Sequence, residues 1–270
     1  MLRRTFTAIF ALVVIAIFVC YTDIVEAQIV TDGLISYWTF DDSDMEDGVV
    51  KDVWGINNGT IMGDPQVVEG KIEEALEFDG LDDYVDCGND ESLNITENIT
   101  IEAWVKPGQL INAWYYTIVS KRDDSDPSRQ FHFDLRSQGK LNFGWRLAAD
   151  GWHEGSTADV LVEAGDWYHV AVTFDSKSTP KLYANGTARP SAFNGDITDM
   201  PASERPLTIA AYGSISAPNV YSGAIDEVRV YNRVLSEDEI RKNYEAKNQF
   251  AIARPDNDLT ITWGGIKAKN

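Results

Sequence analysis

The fold is decided by Ser222-Gly-Ala-Ile-Asp-Glu-Val-Arg-Val-Tyr-Asn-Arg-Val-Leu-Ser-Glu-Asp-Glu-Ile240, which reads as a strand, a turn and the start of a helix. Side chains alternate along a strand, so Val228 and Val230 share one face, and Asp226 is expected on that face too. A carboxylate that enters a core is costly unless it is paired or bound to a cation, so Asp226 is either a solvated strand end or a ligand of a structural Ca²⁺. Ser236 and Glu239 have the spacing of a capping box, which predicts a helix over about residues 236–246.

Residues 1–27 have the features of a secretory signal peptide. Arg3 and Arg4 give a positive start, residues 6–19 are almost all apolar, and Val25-Glu26-Ala27 resembles a small-residue cleavage site. The apolar run is shorter than the roughly 20 residues that span a bilayer, which favours cleavage over an N-terminal membrane anchor. We therefore expect a secreted chain, extracellular or periplasmic, with one domain over residues 28–248, a tail over 249–270 and no membrane span after cleavage.

Charge and cysteine content restrict the partners and the means of stabilisation. The net charge of −20 opposes binding to nucleic acid or anionic lipid and suits neutral partners, cationic partners or Ca²⁺, although it also serves solubility. Cys20 lies in the signal peptide, so Cys87 would be alone and no intrachain disulfide could form. A buried, inert thiol is expected at Cys87, and stability must come from the core and from any bound metal.

Short alternating runs separated by turn residues fill the rest of the chain and favour an antiparallel, two-sheet jelly-roll sandwich. In residues 130–135, Phe131, Phe133 and Leu135 are expected to point inward and His132 outward. Asn185-Gly186 favours a tight hairpin turn. The other predicted strands cover residues 34–40, 99–105, 140–145, 167–174, 181–184 and 207–210.

Several ordered motifs resemble the laminin-G-like domains of the concanavalin A-like lectin/glucanase superfamily, close to the pentraxins. They are GLISYWTFD (33–41), ALEFDGLDDYV (75–85), IEAWVKP (101–107), WYHVAVTFD (167–175), LYANG (182–186) and GAIDEVRVYNRVLSEDEI (223–240). The resemblance covers about residues 33–244 and implies two stacked antiparallel sheets. It implies little about function, since the fold carries lectins, adhesion modules and glycosidases.

The resemblance also implies a structural Ca²⁺ where the first and last strands meet. Asp41 follows the first strand and Asp226 lies on the last, while Asp52 and Asn58 fall in the intervening loop. Carboxylate and amide oxygens are the ligands that Ca²⁺ prefers. The expected metal ligands are therefore Asp41, Asp52, Asn58 and Asp226.

Catalytic motifs are missing from the sequence. It has no E-x-D-x-x-E strand of a related glucanase, no G-x-S-x-G, no H-E-x-x-H and no phosphate-binding glycine loop. His132, His153 and His169 lie on separate segments. We therefore predict a protein that is not an enzyme.

Aromatic side chains next to polar groups are the signature of a sugar site, because sugar C–H faces stack on rings while hydroxyls need hydrogen bonds. Trp152 and His153 follow a turn and have charged neighbours, and a second aromatic cluster precedes a strand. The alternative is that Trp145 and Trp152 cover a sheet edge. The candidate ligand residues are Trp145, Arg146, Asp150, Trp152, His153, Trp114 and Tyr116.

Three functions fit these features. The leading hypothesis is non-catalytic recognition of carbohydrate or of a glycosylated surface, with a structural Ca²⁺. The second is a protein–protein adhesion module of an extracellular assembly, suggested by the acidic surface and by the apolar run LTITW at 259–263 in the tail. The third is a glycoside hydrolase or lyase, for which the sequence nominates no carboxylate pair.

Overall fold

The computed structural model describes residues 28–109, 115–122, 129–212 and 220–246. The expected signal peptide (1–27) and the tail (249–270) lie outside the described residues, as does Trp114. Among the residues that the structure describes, no helix is long and apolar enough to cross a membrane.

The described residues form eighteen strands and one α-helix, together with 3₁₀ turns at Asp42–Asp44 and Glu91–Leu93. The helix, α1, spans Glu237–Glu245. The strands are β1 (Leu34–Trp38), β2 (Met45–Glu46), β3 (Val49–Val50), β4 (Gly59–Met62), β5 (Gln66–Glu69), β6 (Glu74–Asp79), β7 (Tyr84–Asp86), β8 (Asn98–Pro107), β9 (Tyr115–Lys121), β10 (Arg129–Arg136), β11 (Leu141–Leu147), β12 (Gly151–Thr157), β13 (Tyr168–Asp175), β14 (Ser178–Ala184), β15 (Thr187–Arg189), β16 (Ser191–Asn194), β17 (Thr208–Ile209) and β18 (Ser222–Tyr231).

These strands pair into two antiparallel sheets, which confirms the predicted all-β sandwich. The back sheet has the order β15-β14-β13-β8-β18-β6-β5, and β1 also pairs with β18. The front sheet has the order β16-β12-β11-β10-β9-β17-β7-β4-β3-β2. Neighbours in space are often distant in sequence, so each sheet combines residues from both halves of the chain.

The main core lies between the facing sides of the two sheets. Alternation places Phe131, Phe133 and Leu135 of β10 in this core, each with no exposed surface, as predicted. Ile101 and Val105 of β8 contribute from the back sheet in the same manner. A core of this kind is stabilised by apolar area removed from water, at about 25 cal/mol per Å².

The hairpin between β14 and β15 shows how a local turn fixes strand register. Asn185 and Gly186 both have positive φ, 51° and 73°, which is the geometry of a type I′ turn. The turn sets Ala184 opposite Thr187 and Leu182 opposite Arg189. The tight turn predicted from Asn-Gly is therefore confirmed.

A β-bulge in β18 changes the face on which Asp226 lies. Ile225 pairs with Val105 and Asp226 pairs with Trp104, and the register then shifts before Arg229. Glu227 has a φ of 57°, the left-handed conformation of an extra residue in a bulge. Asp226 therefore shares the outer side of the back sheet with Trp104, whereas the sequence pattern predicted that it shares the face of Val228 and Val230.

The outer side of the back sheet is covered by α1 and by the first described residues. Ile240 of α1 is fully buried against this side, together with Val30 and Tyr231. Asn243 ties the layers together, because its amide oxygen accepts from Val30 N (2.7 Å) and its Nδ2 donates to Glu102 Oε1 (2.7 Å). Part of the outer side of the back sheet is thus covered.

Candidate functional site

The outer side of the front sheet carries a cluster of aromatic and charged residues on β9 to β12. On β12, His153 and Gly155 point toward the core, and alternation therefore turns Trp152, Glu154 and Ser156 outward. Side chains from the neighbouring strands and loops join them. We call this cluster the front-sheet patch; its members are Tyr115, Arg122, Arg129, His132, Asp134, Arg136, Asn142, Trp152, Glu154 and Tyr212.

Trp152 is the aromatic platform of the patch. It is 39% exposed, more than any other tryptophan among the described residues. The guanidinium carbons of Arg122 and Arg129 each lie 4.9 Å from its ring centre. The His132 ring meets it edge-on at 5.4 Å. Cation–π and edge contacts hold the indole in place and leave part of its surface open to solvent.

The centre of the patch is a histidine between two carboxylates. His132 Nε2 lies 3.7 Å from Asp134 Oδ2 and 3.8 Å from Glu154 Oε2. Gly144 is the neighbour of both His132 and Glu154 in the strand ladders. A Cβ at Gly144 would lie 2.5 Å from the Glu154 Cβ, so glycine is what lets these side chains approach each other.

The two carboxylates have different environments. Burial raises the pKa of Asp134 despite the nearby His132 and Arg122, and Tyr212 Oη donates to its Oδ2 at 3.2 Å. Asp134 has no exposed surface and does not line the cavity that opens beside Glu154. Glu154 is partly exposed, and the proximity of His132 lowers its pKa. Glu154 is therefore the carboxylate of the pair that a ligand can reach.

A cavity opens beside Glu154. Its volume of about 290 Å³ is near the lower end of the usual range for small-ligand sites. Arg136 Nη2 lies 3.2 Å from Glu154 Oε2 and donates to Asn142 Oδ1 at 3.0 Å. Ser156 Oγ donates to the same Asn142 oxygen at 2.8 Å. The polar side chains around the cavity are Arg136, Lys140, Asn142, Glu154, Ser156, Thr157 and Asn194.

The structure separates the sequence-predicted ligand residues into two groups. Trp145 is fully buried and stacks on His153 at 5.3 Å, and Tyr116 is also buried. These three point into the sandwich because they occupy core-facing positions of their strands, so they offer no stacking surface to a ligand. Arg146, Asp150 and Trp152 remain at the surface, with Arg146 opposite Trp152 in the β11–β12 ladder.

The sequence motifs did not indicate His132, Arg136, Asn142 or Glu154 as ligand residues. The available signal was the alternation of residues 131–136, in which His132, Asp134 and Arg136 fall on the outward side of β10. Such a run of polar side chains on one face of a strand indicates a polar sheet surface that can bind a ligand. The pairing partners that complete the patch cannot be read from that strand alone.

A second cluster gathers acidic side chains near the end of β1. The carboxylates of Asp41, Glu73 and Glu74 lie within 4.8 Å of one another. Asp226 is fully buried, and its Oδ2 accepts from the backbone N–H groups of Lys71 (2.8 Å) and Ile72 (3.0 Å). Its Oδ1 is buried without a hydrogen-bond partner.

The electrostatics of Asp226 connect it with this acidic cluster. Burial raises its pKa well above the usual range, and the carboxylates of Glu227 and Asp41 raise it further. A buried oxygen without a donor, next to other carboxylates, is costly unless a cation balances the charge. Oxygen donors of this kind fit Ca²⁺.

Asp52 and Asn58 have another role in the structure. The Asp52 carboxylate accepts from four backbone N–H groups, at Tyr37, Trp54, Gly55 and Asn57, over 2.8–3.2 Å. Asn58 Oδ1 accepts from Asp52 N at 2.9 Å. These bonds account for the burial of Asp52 as the organiser of its loop, and the carboxylates that converge with Asp41 are those of Glu73 and Glu74.

Comparison with protein families matches residues 78–241 to the laminin G 3 family of the concanavalin A-like lectin/glucanases superfamily. The match covers more than half of the chain. The chain belongs to this family. A search of curated proteins finds no match.

Solved structures with the same fold include binding domains and parts of enzymes. Domain 4 of AbnA, an extracellular GH43 arabinanase from Geobacillus stearothermophilus solved with arabinotriose, has a TM-score of 0.60 and 22% identity over 78% of this chain and 98% of that chain. The binding domain of Paraclostridial Mosquitocidal Protein 1 has a TM-score of 0.63 and 16% identity, over 79% and 52%. Trypanosoma rangeli sialidase with sialic acid has a TM-score of 0.59 and 16% identity, over 80% and 33%.

At these identities the likeness shows the fold alone. This chain spans nearly all of the arabinanase domain, about half of the toxin domain and a third of the sialidase. The laminin G 3 chain therefore has the architecture of a module that occurs both as a binding domain and as a part of larger proteins.

Proposed function

We propose that this laminin G 3 chain is a secreted, non-catalytic module that binds carbohydrate or a glycoconjugate through the front-sheet patch. The observation that carries the proposal is Trp152, an exposed indole set among ordered polar groups. Sugar recognition requires stacking of a sugar ring on the indole, with hydroxyls that accept hydrogen bonds from Arg136 and donate them to Glu154.

The similar structures support a binding function. The arabinanase domain was solved with arabinotriose, and the toxin domain is described as a binding domain. The buried position of Asp134 argues against hydrolysis by the Asp134–Glu154 pair, since an acid that donates to a glycosidic oxygen must reach the substrate. The adhesion alternative is based on the acidic surface and on the apolar run at 259–263, which lies outside the described residues.

The test is affinity electrophoresis of the wild-type domain and Trp152→Ala through gels that contain soluble polysaccharides, starting with arabinan. We expect wild type to be retarded and Trp152→Ala to lose roughly two- to ten-fold in affinity, because contacts on an aromatic ring contribute about 0.5–1.5 kcal/mol. The melting temperature should change little, because Trp152 is partly exposed.

Trp167→Ala is the matched control, since Trp167 lies before β13 on the back sheet and should leave retardation unchanged. Equal retardation of wild type and Trp152→Ala would remove the front-sheet patch as the binding site. Release of reducing sugar by wild type during the run would favour hydrolysis instead.

We further propose that Asp41, Glu73, Glu74 and Asp226 hold a structural Ca²⁺. The support is the unpartnered Asp226 Oδ1, the nearby Asp41 carboxylate that raises the pKa of Asp226, and the convergence of Asp41 with Glu73 and Glu74. A bound cation would neutralise charge that the fold otherwise concentrates in a partly buried site. It would also link three segments that are distant in sequence.

A further inference from the structure

We propose that the cavity beside Glu154 binds the carboxylate of an acidic sugar, so that the module recognises uronate-containing polysaccharide. This inference rests on the proposed carbohydrate function and names its ligand class. Three observations carry it: unpartnered donors in the cavity, its local positive charge, and its position along β12.

Asn142 supplies a donor without an acceptor. Its Oδ1 accepts from Arg136 Nη2 and Ser156 Oγ, which fixes the orientation of the amide and turns Nδ2 away from both donors. Asn142 lines the cavity, and its buried Nδ2 has no hydrogen-bond partner. Arg136 Nε is likewise buried without a partner. A buried, unpaired donor costs roughly 1–3 kcal/mol, which a ligand acceptor would recover.

The charge of the cavity is opposite to that of the molecule. Arg136 and Lys140 line it together with one carboxylate, Glu154. The cavity is therefore locally positive on a chain of net charge −20. Donors and cations in excess of acceptors fit a group that only accepts hydrogen bonds, and an ionised carboxylate is such a group.

The position of the cavity suits a polymer. Trp152, Glu154 and Ser156 are alternate residues on the outward side of β12, and alternate residues of a strand lie about 6.6 Å apart. A sugar ring stacked on Trp152 therefore places the next unit of the chain over the cavity. The indole would bind the ring face, and the cavity would bind the acid group of the neighbouring unit.

The experiment uses one polymer backbone in two charge states. The wild-type domain is run by affinity electrophoresis through polygalacturonate and through the same polymer after methyl esterification, with arabinan, dextran and dextran sulfate as further gels. We expect retardation by polygalacturonate at least five-fold stronger than by the methyl ester, since neutralising one ligand charge removes an ion pair.

Variants assign the effect to the cavity. Lys140→Gln should reduce affinity for polygalacturonate about five-fold without affecting the melting temperature, because Lys140 is at the rim. Lys181→Gln, an exposed lysine on β14 of the back sheet, is the charge-matched control and should bind as wild type. Arg136→Gln is the second variant, with its fold checked by melting.

The outcomes separate this inference from the proposed function. Retardation by arabinan or by the methyl ester that equals or exceeds retardation by polygalacturonate would overturn the acidic-sugar assignment and leave the carbohydrate function standing. If dextran sulfate retarded the domain as strongly as polygalacturonate, and if this retardation also depended on Lys140, the cavity would bind anions in general and would not be specific for a carboxylate. If the wild-type domain bound none of these polymers, both proposals would be overturned.

Discussion

His169 is a buried histidine whose ring packs against other aromatic rings and makes no hydrogen bond. It has no exposed surface, and neither ring nitrogen has a hydrogen-bond partner. Trp104 and Tyr244 flank it at centroid distances of 5.4 and 5.9 Å, and its Nε2 lies 3.6 Å from Glu102 Oε2. Burial, with a contribution from Arg229, lowers the pKa of His169 to about 3.

This shift predicts that stability depends on pH through His169. Between pH ~6.5 and about 3 the unfolded chain binds a proton on this ring and the folded chain does not, so stability falls as the pH is lowered through this window. His169→Phe should flatten the profile, with equal or greater stability at pH 7. Burial raises the pKa of Glu102, which acts in the opposite sense in both proteins.

Urea unfolding at pH 4, 5 and 7 measures the difference. The gap in unfolding free energy between His169→Phe and wild type should widen in favour of the variant as the pH falls. A constant gap across these pH values would mean that the folded protein protonates His169 as readily as the unfolded chain does.

At the residue scale, alternation predicted the direction of most strand side chains but failed where the backbone breaks its period. It correctly placed His132 outward on β10. It placed Asp226 on the wrong face of β18, because a residue such as Glu227 carries no sequence mark of a left-handed φ. Trp145 was assigned to a ligand surface because it lies close in sequence to Trp152, although its register position faces the core.

The helix α1 is the element whose local sequence best explains its structure. Glu239 N donates to Ser236 Oγ at 3.3 Å and Ser236 N donates to Glu239 Oε2 at 2.8 Å, which is the predicted capping box. Arg233 donates to both Glu239 oxygens, and this pair lowers the pKa of Glu239 to about 2. The cap holds α1 so that Ile240 seals the outer side of the back sheet.

Ser236→Ala removes the side-chain half of this cap. We expect it to lower the free energy of unfolding by about 1 kcal/mol, which corresponds to about 2–4 °C in melting temperature for a domain of this size. Thermal melting followed by circular dichroism measures it. Ser137→Ala, an exposed serine in the turn after β10, is the control and should melt as wild type; an equal loss in both variants would contradict a specific role for the cap.

At the element scale, strands were predictable and their partners were not. The hydrophobic period and turn residues located β8, β10 and β13 to within a few residues. The front-sheet patch depends on which strands become neighbours, so Glu154 meets His132 only through the ladders of β10, β11 and β12. No local pattern in the sequence contains that information.

At the scale of the whole molecule, the proposed Ca²⁺ site would join the beginning and end of the fold. Asp41 follows β1, Glu73 and Glu74 lie at the β5–β6 turn, and Asp226 is on β18. The sequence predicted Asp41 and Asp226, because the family resemblance places ligands at the first and last strands. It did not predict the two glutamates, since only the folded chain brings the β5–β6 turn to Asp41.

A cation that binds only the folded chain stabilises it by mass action. With Ca²⁺ about 100-fold above its dissociation constant, the gain is ~2.7 kcal/mol, which corresponds to roughly 5–10 °C in melting temperature for a domain of this size. We expect this difference between melts in ~10 mM CaCl₂ and melts in excess EDTA, since extracellular sites often have dissociation constants of about 0.1–1 mM. Identical melting temperatures in the two conditions would contradict the site.

Two isosteric variants distinguish a metal ligand from a residue that only organises a loop. Asp226→Asn retains an oxygen for Lys71 N and Ile72 N but removes charge, so it should abolish the Ca²⁺ shift and melt in EDTA no lower than wild type. Asp52→Asn weakens four backbone hydrogen bonds, so it should melt lower in both conditions and retain the shift. Retention of the full Ca²⁺ shift by Asp226→Asn, or loss of the shift in Asp52→Asn, would contradict the proposed site. Either result would favour a metal bound in the loop of Asp52 and Asn58, as the sequence predicted.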